Sequence, residues 1–206
     1  GGFILTPLFL QEVLDFGEAK TGLISIARPL AFAISGPVAG YLAVRVGERQ
    51  SAVVGGLAIA FSMIGMSMVG LDGSELLIAS ALALSGIGLG ASMPAMAATI
   101  ANAVEEGDLG VVGAAQQMMT EVGLTAGIQI MQTVQVSREP SVGALASYHE
   151  AYLVGAGVAF LGAVCACFVR SSGARPRAGA EGDAADGAPD ATNAPPGGAF
   201  VGDAPA

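Results

Sequence analysis

The sequence predicts an all-α membrane protein, a polytopic bundle of transmembrane helices. Hydrophobic residues make up 53% of the 206 residues and charged residues only 12%, whereas a soluble domain carries about a quarter charged residues. Apolar stretches of the roughly 20 residues that a membrane-crossing helix needs recur along the chain. These stretches lack the polar residues that a water-facing helix shows with a period of 3.6. The lipid bilayer is therefore the expected environment.

Six spans are predicted within residues 1–170. Residues 3–14 form a truncated first span, which is too short to cross the bilayer alone and whose beginning is expected to be missing. The five further predicted spans are 21–44, 51–69, 76–104, 109–136 and 151–169. Short connections join them, and residues 137–150 form the last one.

Residues 171–206 are predicted to be a disordered acidic tail. Five acids and two arginines stand there among alanine, glycine and proline. With almost no large apolar side chains, this segment cannot offset the entropy lost on ordering. The chain has no basic patch, so nucleic acid is not an expected partner.

The distribution of Lys and Arg predicts the orientation in the cell membrane, because loops rich in these residues stay in the cytoplasm. Lys20 and Arg138 fall on one side of the predicted bundle. The other side holds a larger set: Arg45, Arg49, Arg170, Arg175 and Arg177. This difference places the C-terminus and the acidic tail in the cytoplasm.

Glu121 is the most informative single residue, since it lies near the middle of the fifth predicted span. A charge there costs at least about 2.5–3.5 kcal/mol, so such a group usually faces the bundle interior, pairs or stays protonated. Gln117, Gln132 and Gln135 extend a polar stripe along the same helix, with Thr125 beside it, as expected beside an aqueous cavity. A proton-coupling carboxyl and a structural carboxyl hydrogen-bonded to neighbouring helices both fit this pattern.

Arg28 and Gln11 are further candidates for contact with a cavity or substrate. Arg28 lies inside the second predicted span. Its guanidinium could pair with Glu121, or with Glu12 or Asp15 on the first helix, or extend towards the membrane surface. Structural pairing and substrate contact are both open, and Gln11 is a plausible hydrogen-bonding residue of the first span.

Glycines four residues apart predict close packing between helices, because they lie on one helix face and let a second backbone approach. The pairs are Gly36/Gly40, Gly86/Gly90 and Gly123/Gly127. The run from Gly86 to Gly90 is not interpreted as a nucleotide loop, since it lies inside an uncharged stretch without a preceding strand.

Residues 36–49 resemble the signature loop of the major facilitator superfamily, whose full form is Gly-x-Leu-Ala-Asp-Arg-x-Gly-Arg-Arg. The matching residues are Gly40, Leu42, Ala43, Arg45, Gly47 and Arg49. Val44 stands where the family often has Asp, and Glu48 where it often has a basic residue. The resemblance implies a gating role for the loop, with simple anchoring at the cytoplasmic surface as the alternative.

Further motifs are similar to those of fourteen-span drug–proton antiporters of the EmrB/QacA type. They are Leu8-Phe9-Leu10-Gln11 followed by Thr21-Gly22-Leu23, Gly86-x-Gly88-x-Gly90 followed by Pro94, and Gly123-x-x-x-Gly127. The resemblance covers residues 3 to about 169 and implies the six-helix C-terminal half of the major facilitator fold. Many members of that branch have an Arg where this chain has Thr120-Glu121, so the role of that Arg is not transferred.

The resemblance implies proton-coupled export of small amphipathic molecules or drugs by alternating access. The alternatives are a carrier for a metabolite, sugar or lipid, and a non-transporting membrane module. Alternating access needs a second half to move against. A missing N-terminal half of the same protein is the expected partner, with homodimerisation as the alternative, together with protons and a small-molecule substrate. One histidine, no Ser-His-Asp set and no metal-ligand cluster argue against an enzyme, and no cofactor or metal is expected.

Overall fold

The computed structural model describes residues 1–71 and 74–168, apart from the side chains of 42–46 and 106. Within these ranges the chain is helical and has no strand. The helices are α1 (Gly2–Glu12), α2 (Glu18–Ser25), α3 (Ala27–Val46), α4 (Glu48–Ser67), α5 (Glu75–Ala103), α6 (Leu109–Val142) and α7 (Ala144–Cys167). A 3-10 turn, Glu106–Asp108, precedes α6. The predicted all-α fold class is confirmed, and the predicted tail, 171–206, lies outside the described residues.

Helices α2 and α3 together correspond to the second predicted span. The backbone stays helical at Ile26, whose N–H donates to the carbonyl of Gly22. Pro29 has no N–H to donate to the carbonyl of Ser25, which explains the break in the hydrogen-bond ladder at this point. The combined segment Glu18–Tyr41, with 24 residues, is long and apolar enough to cross a membrane.

Four segments of the described chain meet that criterion of length and hydropathy. They are Glu18–Tyr41, Glu48–Ser67, Glu75–Ala103 and Ala144–Cys167. Helix α1 has only 11 residues. Helix α6 has 34 residues, but its glutamine, threonine and charged residues lower its hydropathy. This polar long helix also carries Glu121 and most of the predicted cavity residues.

The expected connection at residues 137–150 is instead almost entirely helical. Helix α6 continues to Val142, α7 begins at Ala144, and only Gly143 separates them. Gly143 has φ 85°, a left-handed conformation that glycine adopts without the steric strain of a side chain. Across this sharp turn, Arg138 Nη2 donates to Glu150 Oε1 at 3.0 Å. The helices therefore extend beyond the apolar stretches from which the spans were predicted.

Helix α5 lies at the centre of the bundle and packs closely on α3 and α4, while α7 packs on α4 and α6. A side-chain bond joins α4 to α5, from Ser62 Oγ to the carbonyl of Ala81 at 2.6 Å. The core between the helices includes the fully buried Phe9, Met66 and Ile78. This packing holds α1 against α7 and α6, where a pocket with polar side chains lies.

Glycines make the contacts of α5 with its neighbours possible. A Cβ added at Gly86 would collide with the carbonyl oxygen of Arg28 on α3, and one at Gly88 would lie 2.7 Å from the carbonyl oxygen of Gly55 on α4. A Cβ at Gly90 would meet the hydroxyl of Ser35 and lie 3.1 Å from the nitrogen of Gly36. The backbones at α5 are therefore too close for larger residues.

The other predicted glycine pairs differ from this arrangement. Around Gly36, Gly40 and Gly123 an added Cβ would meet no atom of another described segment within 4 Å, and at Gly127 it would meet, among the described residues, the N-terminal nitrogen at 3.6 Å. Gly36 contributes to packing only through its backbone, which approaches Gly90. Spacing of four residues defines a face but not whether another helix covers it, so the sequence could not separate these pairs.

Large apolar side chains cover the outside of the bundle. Phe61 on α4 and Phe160 on α7 are 61% and 56% exposed and lie along an open apolar groove between these helices. In the segment Glu18–Tyr41, only 11% of the residues in the most apolar window are buried. Exposed apolar area on this scale is unusual for a soluble monomer and suits a surface that meets lipid.

Candidate functional site

A pocket with both apolar and polar lining residues lies between α1, α6 and α7. It has a volume of about 600 Å³. Leu5 and Leu8 of α1 form part of its apolar wall, while the carboxylate of Glu12 and the hydroxyl of Tyr148 contribute polar atoms. A pocket that combines apolar walls with a few polar groups is typical of small-molecule sites.

Glu12 is held in place by a buried aromatic cluster. Tyr148, which is buried, donates its hydroxyl proton to Glu12 Oε2 at 2.5 Å. The Tyr148 ring packs on Phe9 with a centroid distance of 5.3 Å, and Tyr152 meets Phe9 edge-on at 6.0 Å. Tyr152 also donates to the hydroxyl of Thr6 at 3.2 Å. Because these rings are packed, they fix the position of the carboxylate at the rim of the pocket.

Helix α6 contributes glutamine amides and a threonine hydroxyl to the same pocket. Gln129, Gln132 and Thr133 line it and have no hydrogen-bond partner among the described residues. Gln135, which is 8% exposed, donates to Glu139 Oε2 at 3.1 Å. Gln132 and Gln135 are thus the residues of the predicted polar stripe that line this pocket.

The remaining predicted residues of α6 lie elsewhere on the helix. Glu121, Gln117 and Thr125 are exposed, and Gln117 Nε2 donates to Glu121 Oε1 at 2.9 Å. Eleven residues separate Glu121 from Gln132, which is about 17 Å along a helix. Only the C-terminal part of the predicted polar stripe therefore lies in the pocket between the helices. Gln11 on α1 is exposed and does not line the pocket.

Arg28 does not pair with any of the carboxylates considered from the sequence. Its Nε donates to Ser85 Oγ at 2.7 Å, and its guanidinium carbon lies 5.9 Å from the centre of the Phe3 ring. Within the described ranges, the ion pairs are Lys20–Glu75 and Arg138–Glu150. Arg28 therefore joins α3 to α5 through a neutral hydroxyl.

Comparison with known proteins supplies the family. The family model described as Major Facilitator Superfamily matches residues 2–196. The chain belongs to the Major Facilitator Superfamily. This superfamily consists of transporters, and the helical bundle, the apolar outer surface and the polar pocket of the chain agree with membership.

Two curated relatives of the superfamily align over 138 residues, which are 67% of this chain. One is the "Multidrug transporter protein MdtP" of Bacillus subtilis (strain 168), 25% identical. The other is the "Tetracenomycin C resistance and export protein" of Streptomyces glaucescens, 27% identical. In each case the alignment spans 26% of the relative's length, so the aligned part of the chain covers about a quarter of each of these proteins.

The residues that resemble the superfamily signature loop, 36–49, run from α3 through Gly47 into the first turn of α4. Gly47 has φ 99°, which suits glycine, and ends the turn before α4. Glu48, at the first position of α4, accepts from Thr99 Oγ1 at 3.1 Å and from Asn102 Nδ2 at 2.7 Å, both on α5. Arg49 is exposed, and the side chain of Arg45 lies outside the described residues. Glu48, which stands where the signature motif often has a basic residue, thus links the start of α4 to the end of α5 by hydrogen bonds.

From the sequence, Glu12 was predicted only as a possible partner for Arg28, and Tyr148 was not predicted to be a site residue. The two residues are 136 positions apart, and neither stands out in a local pattern. Similarly, His149 was expected in a loop, but it lies on α7 with Nε2 2.8 Å from the carbonyl oxygen of Val69. A carboxylate at the end of a short apolar helix was the one available signal for Glu12.

Proposed function

We propose that the chain forms part of a transporter that exports small amphipathic molecules in exchange for protons, by alternating access. The observation that carries the proposal is the polar stripe of α6, from Gln117 and Glu121 through Thr125 to Gln132. Polar and ionisable side chains within a membrane bundle usually mark a substrate or proton pathway. The names of the two relatives, a multidrug transporter and an export protein, favour drug-like cargo.

In this proposal Glu121 carries the proton. Its carboxylate is exposed on α6 and hydrogen-bonded only along its own helix, to Gln117 among the described residues. Such a group can exchange a proton with a water-filled pathway without breaking contacts between helices. Arg28 acts within the bundle as a fixed positive charge that borders the pathway.

The proposed arrangement places the C-terminus in the cytoplasm of a cell membrane. Alternating access needs a second bundle that moves against this one. We propose that an N-terminal half of the same longer protein supplies it, as in the fourteen-span antiporters that the motifs resemble. The short, polar connection between α3 and α4, fastened by Glu48, then lies at the cytoplasmic surface.

The test is proton-driven transport in inverted membrane vesicles that contain the full-length protein as the cell produces it. Respiration makes the vesicle interior acidic, and uptake of ethidium and of neutral chloramphenicol is followed. We expect uptake that collapses when nigericin removes the pH gradient. Glu121→Gln is expected to reduce this gradient-driven uptake at least about tenfold, because the amide cannot carry the proton.

Asp108→Asn serves as the matched control, because Asp108 is an exposed carboxylate just before α6. It should transport at the rate of the unmodified protein. Equal amounts of each variant in the membrane fraction exclude an effect on insertion. Full transport by Glu121→Gln would remove the role assigned to this residue, and uptake insensitive to the pH gradient would contradict proton coupling.

A further inference from the structure

The pocket between α1, α6 and α7 is lined by one acidic residue and no basic residue. Glu12 is the one side chain lining it that is normally charged at neutral pH, and no lining residue is basic. Arg138 is the arginine nearest in sequence to the lining residues of α6, and its guanidinium is already paired in two bonds with Glu150. Arg28 bonds to Ser85 instead of Glu12. The pocket is therefore acidic, with no positive charge of its own to balance it.

The carboxylate of Glu12 is fixed but incompletely bonded. Tyr148 occupies Oε2, while the structure records no hydrogen-bond partner for Oε1 in the described part of the chain. The hydroxyl of Tyr148 is itself held by ring packing on Phe9. A preorganised carboxylate with a free oxygen can accept a charge-assisted hydrogen bond or serve as a counter-ion without rearrangement.

The polar side chains of α6 beside Glu12 are also available to bind a ligand. Gln129, Gln132 and Thr133 line the pocket without a partner among the described residues. Polar groups on a membrane helix are usually satisfied by protein, water or a ligand. Glutamine both donates and accepts, so these side chains suit a molecule that carries hydroxyl, carbonyl or N–H groups. Leu5 and Leu8 provide apolar contact on the other side.

We propose that this pocket binds the charged head of an amphipathic organic cation, with Glu12 as its counter-ion and the glutamines of α6 as hydrogen-bonding partners. This inference rests on the proposed function, because it names the class of molecule that the exporter carries. It assigns Glu12 as the residue that determines charge preference, with Tyr148 as the positioning residue. A neutral or anionic molecule would leave the carboxylate unbalanced and bind more weakly.

The experiment measures equilibrium binding to the purified full-length protein in detergent. The probes are tetraphenylphosphonium, a permanent cation, and triphenylphosphine oxide, a neutral molecule with similar apolar rings. We expect saturable binding of the cation that Glu12→Gln weakens about tenfold or more, since hydrogen bonds and contacts to charged groups are the stronger ones. The amide oxygen of glutamine can still accept from Tyr148, so the fold is expected to be retained.

Glu18→Gln is the matched control, because Glu18 is an exposed carboxylate at the start of α2 that does not line the pocket. Its affinity for the cation should match that of the unmodified protein within about twofold. Binding of triphenylphosphine oxide should be weak and equal in all three proteins. Equal melting temperatures in detergent establish that a loss of binding is not a loss of folding.

Three results would each overturn the inference: no saturable binding of tetraphenylphosphonium, unchanged affinity in Glu12→Gln, or neutral probe binding as tight as the cation. The measurement needs no proton gradient, so it is independent of transport. Cation binding that depends on Glu12, without gradient-driven uptake in vesicles, would contradict the proposed function alone. Gradient-driven transport with binding indifferent to Glu12 would contradict the inference alone.

Discussion

At the scale of single residues, the polar groups of this bundle are arranged in two ways. Some bond across helices, such as Arg28 with Ser85 and Tyr148 with Glu12. Others, on α6, bond along their own helix or have no partner within the described chain. The first group stabilises contacts between helices, whereas the second remains available to water, protons or a ligand. This difference is why α6 carries the functional proposals.

Tyr148→Phe tests the positioning of Glu12. The substitution keeps the ring that packs on Phe9 and removes only the hydroxyl that donates to Glu12. Loss of one hydrogen bond to a carboxylate should lower the free energy of unfolding by about 1–3 kcal/mol, measured by thermal unfolding in detergent. Binding of tetraphenylphosphonium should weaken by a few fold, because the carboxylate stays but is less fixed.

Tyr152→Phe is the control, since its hydroxyl bonds to Thr6 and not to Glu12. It should affect stability to a similar degree and leave cation affinity unchanged. A Tyr148→Phe protein with cation affinity as low as that of Glu12→Gln, at unchanged stability, would show that the hydroxyl and not the carboxylate is the main contact.

At the scale of elements, close backbone approach at α5 depends on residues without a side chain. Gly86 faces the carbonyl oxygen of Arg28, and Gly88 faces that of Gly55. These contacts place α3 and α4 on two sides of α5 and so define the bundle. Small residues at helix crossings have this effect in membranes generally, because helices there associate through packing and not through the hydrophobic effect.

Gly86→Ala tests this packing directly. The added methyl group would overlap the backbone of α3, which cannot move aside as a flexible side chain could, so we expect destabilisation by about 1–3 kcal/mol. Thermal unfolding in detergent measures it. Gly157→Ala on α7 is the matched control, because its added Cβ would meet no neighbouring segment of the described chain within 4 Å; it should be neutral or slightly stabilising. Equal melting temperatures for the two variants would contradict the packing account.

Element prediction from the sequence was successful where hydropathy decides and failed where it does not. Long apolar runs lie within or beside α4, α5 and α7: the ends agree within about three residues for α4 and α5, whereas α7 begins at Ala144, well before the predicted start at residue 151. The helical continuation from Ser137 to Val142 is polar, so a hydropathy pattern does not distinguish it from a loop. The site was predicted in part: Gln132 stood out as a polar residue in a span, but Glu12 acquires meaning only through Tyr148, a contact that no local pattern contains.

At the scale of the whole molecule, apolar and polar surfaces are separated. Phe61 and Phe160 represent a broad exposed apolar surface on α4 and α7, whereas the polar stripe from Gln117 to Gln132 is confined to α6. We expect lipid to cover the apolar surface of α4 and α7 and an aqueous pathway to border the polar stripe of α6.

The most direct test is the reactivity of introduced cysteines in intact membranes. Cys165 and Cys167 are first replaced by alanine, and single cysteines are placed at Gln117, Thr125 or Phe160 in the full-length protein. A charged, membrane-impermeant maleimide is applied to both faces of opened membranes. We expect rapid labelling at Gln117→Cys and Thr125→Cys, at least about tenfold faster than at Phe160→Cys. Equal and slow labelling at all three positions would contradict the central claim that α6 borders water within the membrane.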